Sequence, residues 1–318
     1  MKTMPRFLAA LAFLALLLLP SPSRADGGLK PTEKPFLWVV EGETPSFLFG
    51  TIHLANDAIL EFPQVVNDAF TASDALYTEI PMDMISMTRM ATKVIAQPGE
   101  TFGDAASPEL RKRVHDYATS KGGSPDTLDA MKPWMVAVQL AIMGNPELIQ
   151  PGKSVDQNLY NRAAFARKKL GALETIDSQV AVFEGFTLDE QLYMLGKSLD
   201  SLEEDEKAGR DSLRELMRLY LEGDEVALYA EMNRQYDPND ELMERFRVKL
   251  LDDRDKKMAE NIDKAIRENP GRSHFFAVGA LHFAGPYAVH KGLEARGHQV
   301  RRLGINDEIP SKKEAAAK

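Results

Sequence analysis

The stretch SFLFGTIHLAN, Ser46–Asn56, runs an apolar segment into Gly50 and places His53 three residues later. The same grammar returns near the other end of the chain as HFFAVGALHFAG, His274–Gly285, with Gly279 and His282. Each apolar run reads as a buried strand, so each Gly-x-x-His falls just past a strand's carboxyl end. That edge is where open α/β sheets bind ligands. Glycine lets the backbone pass close to a bound group, and neutral imidazole is a common ligand of transition metals. A lone histidine after a strand is more often structural; two in the same setting point to a shared site.

Outward from the first motif, FLWVVEGETPSFLFGTIH (Phe36–His53) predicts a hairpin of two apolar strands around EGETP. FPQVVNDAFTAS then has helical spacing with Pro63 near its start, and ALYTEI is a short strand ending at Glu79. Further on, KSVDQNLYNRAAFARKKLG predicts a helix stopped by Gly171, followed by ALETI as a buried strand ending near Glu174. The parallel between Thr51-Ile52-His53 with Glu79 and Ser154-Val155-Asp156 with Glu174 suggests an internal duplication. Between about residues 188 and 268 the chain is charged and helix-rich, with Leu188, Leu192, Leu195, Leu199 and Leu202 forming one apolar helix face. Breaks are expected at Gly209, Gly223 and Pro238. The expected fold class is α/β: a mixed central sheet with flanking helices and a helix-rich insertion covering one side, all within one domain from residue 26 to 310. The segment 311–318 reads as a polar tail.

The first 25 residues carry Lys2 and Arg6, an apolar run from Phe7 to Leu19, Pro20, and a Ser23-Arg24-Ala25 ending. This is the pattern of a cleaved secretory signal peptide, giving a mature chain from Asp26 that is exported to the periplasm or secreted. No other run is long and apolar enough to span a bilayer, so no stable membrane insertion is expected after cleavage. The 318 residues include no cysteine, which removes disulfides and thiolate chemistry. With 39 basic and 48 acidic residues the net charge is −9, which opposes nucleic acid as a partner. Sequence leaves the oligomeric state open.

Glu79 closes an otherwise apolar strand, where a solvated carboxylate is easily accommodated. Its functional reading is a third ligand beside His53 and His282, because two imidazoles and a carboxylate leave positions open on a divalent ion for water and substrate. Such an ion can generate hydroxide near neutral pH and polarise a carbonyl.

FLFGTIHLAN, ALYTEI, KPWM (Lys132–Met135), LETIDSQ (Leu173–Gln179), DRDKKMAENI (Asp253–Ile262) and FFAVGALHFAGPYAVHKGLEARGHQV together resemble the TraB/GumN family, which includes the animal Tiki metalloproteases. The resemblance implies a metal-dependent hydrolase whose active centre is His53, His282 and Glu79, acting on a peptide or protein with a manganese-, cobalt- or zinc-like ion. The family usually has Arg-Asn where this chain has Arg254-Asp255, and Gly-Ala-Gly-His or Gly-Ala-Ala-His where it has Gly-Ala-Leu-His. Glu79 is then a ligand or general base, and Arg254 a group that balances charge in the transition state. Asp156 and Glu174 are candidates to orient a histidine or hold a substrate proton, although Asp156 also suits the first turn of a helix capped by Ser154. The alternative of another class is a protein that sequesters a peptide or other ligand without turnover.

Overall fold

The computed structural model describes residues 29–149 and 153–311. The expected signal peptide and nearly all of the polar tail lie outside them. Six strands form one mixed sheet: β1 Leu37–Val40, β2 Ser46–Thr51, β3 Ala75–Thr78, β4 Lys169–Ala172, β5 His274–Gly279 and β6 Val300–Arg302. Their order across the sheet is β4-β3-β5-β2-β1-β6. β1 and β2 are the expected antiparallel hairpin, with Leu37 opposite Phe49 and Val40 opposite Ser46. β2, β5, β3 and β4 run parallel, so their carboxyl ends share one edge.

β2 is buried throughout, and β5 nearly so, which explains why their sequences are continuous apolar runs rather than alternating ones: packed elements cover both faces. Their register sets Thr51 beside Gly279, so the two Gly-x-x-His motifs leave the sheet side by side. Gly50 is needed at this crossing, because a Cβ there would stand 2.6 Å from Phe36 Cβ. After β2 comes the short helix Asp57–Leu60 and then the helix Gln64–Ala72, with Pro63 at its start as expected.

The segment before β4 departs from the sequence expectation. The helix Val155–Phe165 ends at Phe165, and Arg167 takes a left-handed backbone (φ 55°) that turns the chain into the strand. Gly171 is therefore not a helix stop but a residue within β4. The Tyr77 ring lies against it, with a Cβ there falling 2.5 Å from Tyr77 Cε1. β4 is also an edge strand with Lys169 and Leu170 exposed, not a buried one.

The charged stretch folds into the helices Leu188–Lys207, Ser212–Glu222, Glu225–Met232 and Glu241–Arg247, then a π-turn Val248–Asp252 running into the helix Asp253–Glu268. Gly209 and Gly223 both adopt left-handed conformations at helix ends, as a residue without Cβ can. Leu195 and Leu199 of the leucine seam enter a separate small core with Phe102, Val114, Val136 and Leu140, so the seam packs helix on helix. Ser212–Glu222 reaches the sheet itself: Tyr220 stacks on Phe36 at 5.6 Å and donates its hydroxyl to the Gly50 carbonyl at 2.9 Å. No described helix is long and apolar enough to cross a membrane.

Candidate active site

Each of the four parallel strands delivers one polar residue to the common edge. β2 is followed by His53, β5 by His282 in the short 3-10 turn Ala280–Phe283, β3 by Glu79 and β4 by Glu174. Pairing continues beyond β3 and β4, with Leu173 N–H donating to the Thr78 carbonyl at 2.9 Å and Glu174 N–H to the Glu79 carbonyl at 2.7 Å. His53, Glu79, His282 and Arg254 line one cavity, whose remaining wall is mostly apolar, including Phe183, Leu216 and Leu251.

Both histidines are held by an aspartate at Nδ1. His53 Nδ1 lies 2.7 Å from Asp156 Oδ2, and Thr51 donates its hydroxyl to Asp156 Oδ1 at 2.8 Å. Asp156 is 1% exposed, so it does not merely decorate a helix's first turn; it stands at the start of Val155–Phe165 with its carboxylate inside the protein. The Ser154 hydroxyl caps that helix by accepting from the Gln157 N–H. Burial works against a charged His53, but Asp156, with Glu79 behind it, raises its pKa above the ordinary value.

His282 Nδ1 lies 2.5 Å from Asp255 Oδ1, and both residues are buried. Burial pushes Asp255 up to about 6, against the pull of His282. Sequence reasoning noted Asp255 only as a departure from Arg-Asn and assigned it no role. The available signal was its place beside Arg254 in a segment shared with the resembling family, but DRDKK reads by itself as a solvated charged face.

Glu79 is not a solvated strand end: it is 3% exposed and gripped from three sides. Its Oε1 accepts the Gly279 N–H at 2.7 Å, and its Oε2 accepts from Arg254 Nη2 at 2.6 Å and Gln179 Nε2 at 3.2 Å. Burial would raise the carboxyl pKa, yet Arg254, the two histidines and the Gly279 N–H hold it down at about 2. Arg254 also bonds Glu174, through Nε at 3.0 Å to Oε1 and Nη2 at 2.6 Å to Oε2. Glu174 thus holds Arg254 and, among the described residues, makes no bond to a histidine; Arg254 is a largely covered bridge between two buried carboxylates rather than a solvated helix residue.

These groups surround the space left by Gly279. A Cβ there would stand 3.1 Å from Glu79 Oε1, 3.5 Å from His282 Cδ2 and 3.9 Å from His53 Nε2. His282 Nε2 is 3.9 Å from Glu79 Oε1. Among the described residues no group of three histidine, aspartate or glutamate side chains is already set as a metal cage. In kind, the donors around Gly279 fit a divalent transition metal: two imidazoles, each held at Nδ1 by a carboxylate, and one glutamate oxygen.

Comparison with known proteins finds distant relatives and a family. The Metalloprotease TIKI2 of Xenopus tropicalis is 25% identical over 308 residues, covering 83% of this chain and 59% of that protein. The Metalloprotease TIKI homolog of Nematostella vectensis is 24% identical over 87% of this chain and 68% of its own length. Human Metalloprotease TIKI1 is 23% identical over 88% of this chain and 65% of its own length. The chain therefore spans between somewhat over half and about two thirds of these relatives. No solved structure matches it. The sequence model of the TraB/PrgY/gumN family matches residues 36–302, from the start of the hairpin to the last strand, and the chain belongs to that family.

Proposed function

We propose that this protein is an exported, metal-dependent peptidase. The observation that carries the reading is the convergence of two aspartate-held histidines and Glu79 on the space beside Gly279. Relatives named metalloproteases support the chemistry. Export rests on the N-terminal signal pattern.

His53, His282 and Glu79 would hold the ion, whose identity among manganese, cobalt and zinc is open. A divalent metal bound there supplies an activated water near neutral pH and a Lewis acid for the amide carbonyl. Asp156 and Asp255 fix the two rings. Glu79 serves better as a charged ligand than as a general base, because a carboxylate held at about pH 2 by Arg254 is a poor proton acceptor. Arg254, already shared between Glu79 and Glu174, sets the position of Glu79. The apolar wall would receive substrate side chains while excluding water.

A ligand-sequestering protein is the second reading, and the strong hold on Glu79 favours it, since among the described residues no other carboxylate lines the cavity to take a proton from water. The test is metal analysis of purified protein combined with digestion of a peptide library, with and without chelator. Stoichiometric metal and chelator-sensitive cleavage are expected. Stoichiometric metal without cleavage selects sequestration, and neither metal nor cleavage removes the peptidase reading.

A further inference from the structure

We infer that Asp255 is a positioning residue that fixes His282 in the Nδ1–H tautomer, so that its Nε2 lone pair faces Glu79 before any ligand binds. The inference concerns the same site as the proposed peptidase and rests on that reading for its purpose, though not for its test.

The geometry is direct. An ionised carboxylate only accepts hydrogen bonds, so at 2.5 Å from Asp255 Oδ1 it is His282 Nδ1 that carries a proton. In the neutral tautomer Nε2 is then the unprotonated nitrogen, on the side where Glu79 Oε1 lies at 3.9 Å. Asp255 is 2% exposed and His282 5%, so water does not compete for this bond as it would at the surface. The pair repeats, on a different element, what Asp156 does for His53. One aspartate comes from the first turn of Val155–Phe165 and the other from the first turn of Asp253–Glu268, and the two histidines come from neighbouring strands.

The backbone ahead of Asp255 explains how two adjacent residues both turn inward. Val248–Asp252 is a π-turn, a feature frequent at functional sites because it shifts the helical register locally. Directly after it, Arg254 reaches Glu79 and Glu174, while Asp255 reaches His282. An asparagine at 255 could accept the same bond through its amide oxygen; an alanine could not.

The test is nitrogen NMR of histidine-labelled, metal-free protein, recorded at a pH high enough that the ring-nitrogen shifts no longer change with pH. The chain has six histidines, and loss of one signal in His282→Asn assigns the resonance. The expected result is the Nδ1–H tautomer for His282 in the unmodified protein and in Asp255→Asn, and a shift toward Nε2–H in Asp255→Ala. Zinc affinity measured by competition with a chromophoric chelator should fall roughly 10- to 100-fold in Asp255→Ala and far less in Asp255→Asn, the range found when an outer partner of a metal-binding histidine is lost. A merely structural aspartate would change the unfolding midpoint without changing the tautomer. His282 as Nε2–H in the unmodified protein, or an unchanged tautomer in folded Asp255→Ala, overturns the inference. Failure of the unmodified protein to bind any divalent ion would instead count against the peptidase reading, and the tautomer measurement would still decide the role of Asp255.

Discussion

Gly279 donates its backbone N–H to Glu79 Oε1 at 2.7 Å, so the second Gly-x-x-His motif grips the carboxylate delivered by the neighbouring strand. The same glycine leaves open the space that Glu79, His282 and His53 share. Its backbone (φ −50°, ψ 135°) is accessible to any residue, so alanine adds a methyl group without backbone strain. Gly279→Ala is expected to fold with a stability change of about 1 kcal/mol or less. It should lose at least about tenfold in zinc affinity, as expected when the surroundings of the ligands are disturbed. Chelator competition and a urea midpoint on one preparation check both.

Gly50 occupies the matching place in the first motif but serves packing. An added Cβ would meet Phe36 Cβ at 2.6 Å and Ala280 Cα at 3.2 Å, neither of which is a flexible side-chain end. Gly50→Ala should therefore destabilise by about 1–3 kcal/mol, the usual cost of overpacking. A midpoint equal to that of the unmodified protein would show that the hairpin yields more readily than this contact implies.

Glu79→Gln is less conservative than a strand-end position would suggest. The amide oxygen can still accept from Gly279, but its NH2 would then face Arg254 Nη2, donor against donor. Both metal content and thermal midpoint should fall, and cleavage with them. Unchanged metal content in folded Glu79→Gln would take Glu79 out of the ligand set.

What was legible in the sequence was what strand grammar controls. An apolar run followed by Gly-x-x-His reads the same before and after folding, and parallel register then makes neighbours of His53 and His282. Glu79 was legible because it ends a strand of the same kind. Asp255 was not, because its partner lies on another element and its own neighbours are charged; it lies just after the π-turn Val248–Asp252 and faces His282. The end of the helix before β4 was misread for a local reason: Arg167 takes the left-handed position usually marked by glycine, while the glycine that is present, Gly171, makes room for Tyr77.

Through the groups whose pKa is lowered, acid should weaken the fold in two steps, while Asp255, held up at about 6, and His53, held above its ordinary value, act in the opposite sense. Burial pushes His274 and His290 down to about 4 from 6.5. His274 Nε2 and His290 Nδ1 have no hydrogen-bond partner among the described residues. The unfolded chain takes up these protons near 6.5 and the folded one only near 4, so their contribution is complete above 6.5 and is lost as pH falls between those values. Glu79, at about 2 when folded against 4.5, adds a loss between 4.5 and 2. His290 stacks on Trp38 at 5.2 Å, so His290→Phe keeps the contact and removes the titration. Its midpoint should fall less than that of the unmodified protein between about pH 7 and about pH 4.5. Parallel melting curves across that range would rule out His290 as a contributor.

The Arg254 bridge gives the largest stability prediction. Its side chain is 11% exposed and faces Glu79 and Glu174, which are 4% and 5% exposed. Removing one partner of a buried ion pair costs about 3–5 kcal/mol, because the charge left behind is neither solvated nor neutralised. Arg254→Met would leave two such charges in contact range of each other, so its cost should reach the upper part of that range. Adding Glu174→Gln removes one of them, and the double variant should recover part of the loss despite carrying one more substitution. Arg254→Lys keeps the charge but not the planar fork that bonds Glu174 through Nε and Nη2 while reaching Glu79, so it should fall between the unmodified protein and Arg254→Met. Urea unfolding at neutral pH of the unmodified protein, Arg254→Met, Glu174→Gln and the double variant gives the coupling energy directly. If the double variant is less stable than Arg254→Met alone, Glu174 is held by contacts other than Arg254, and the placement of Glu79 must be sought in Gly279 and Gln179 instead.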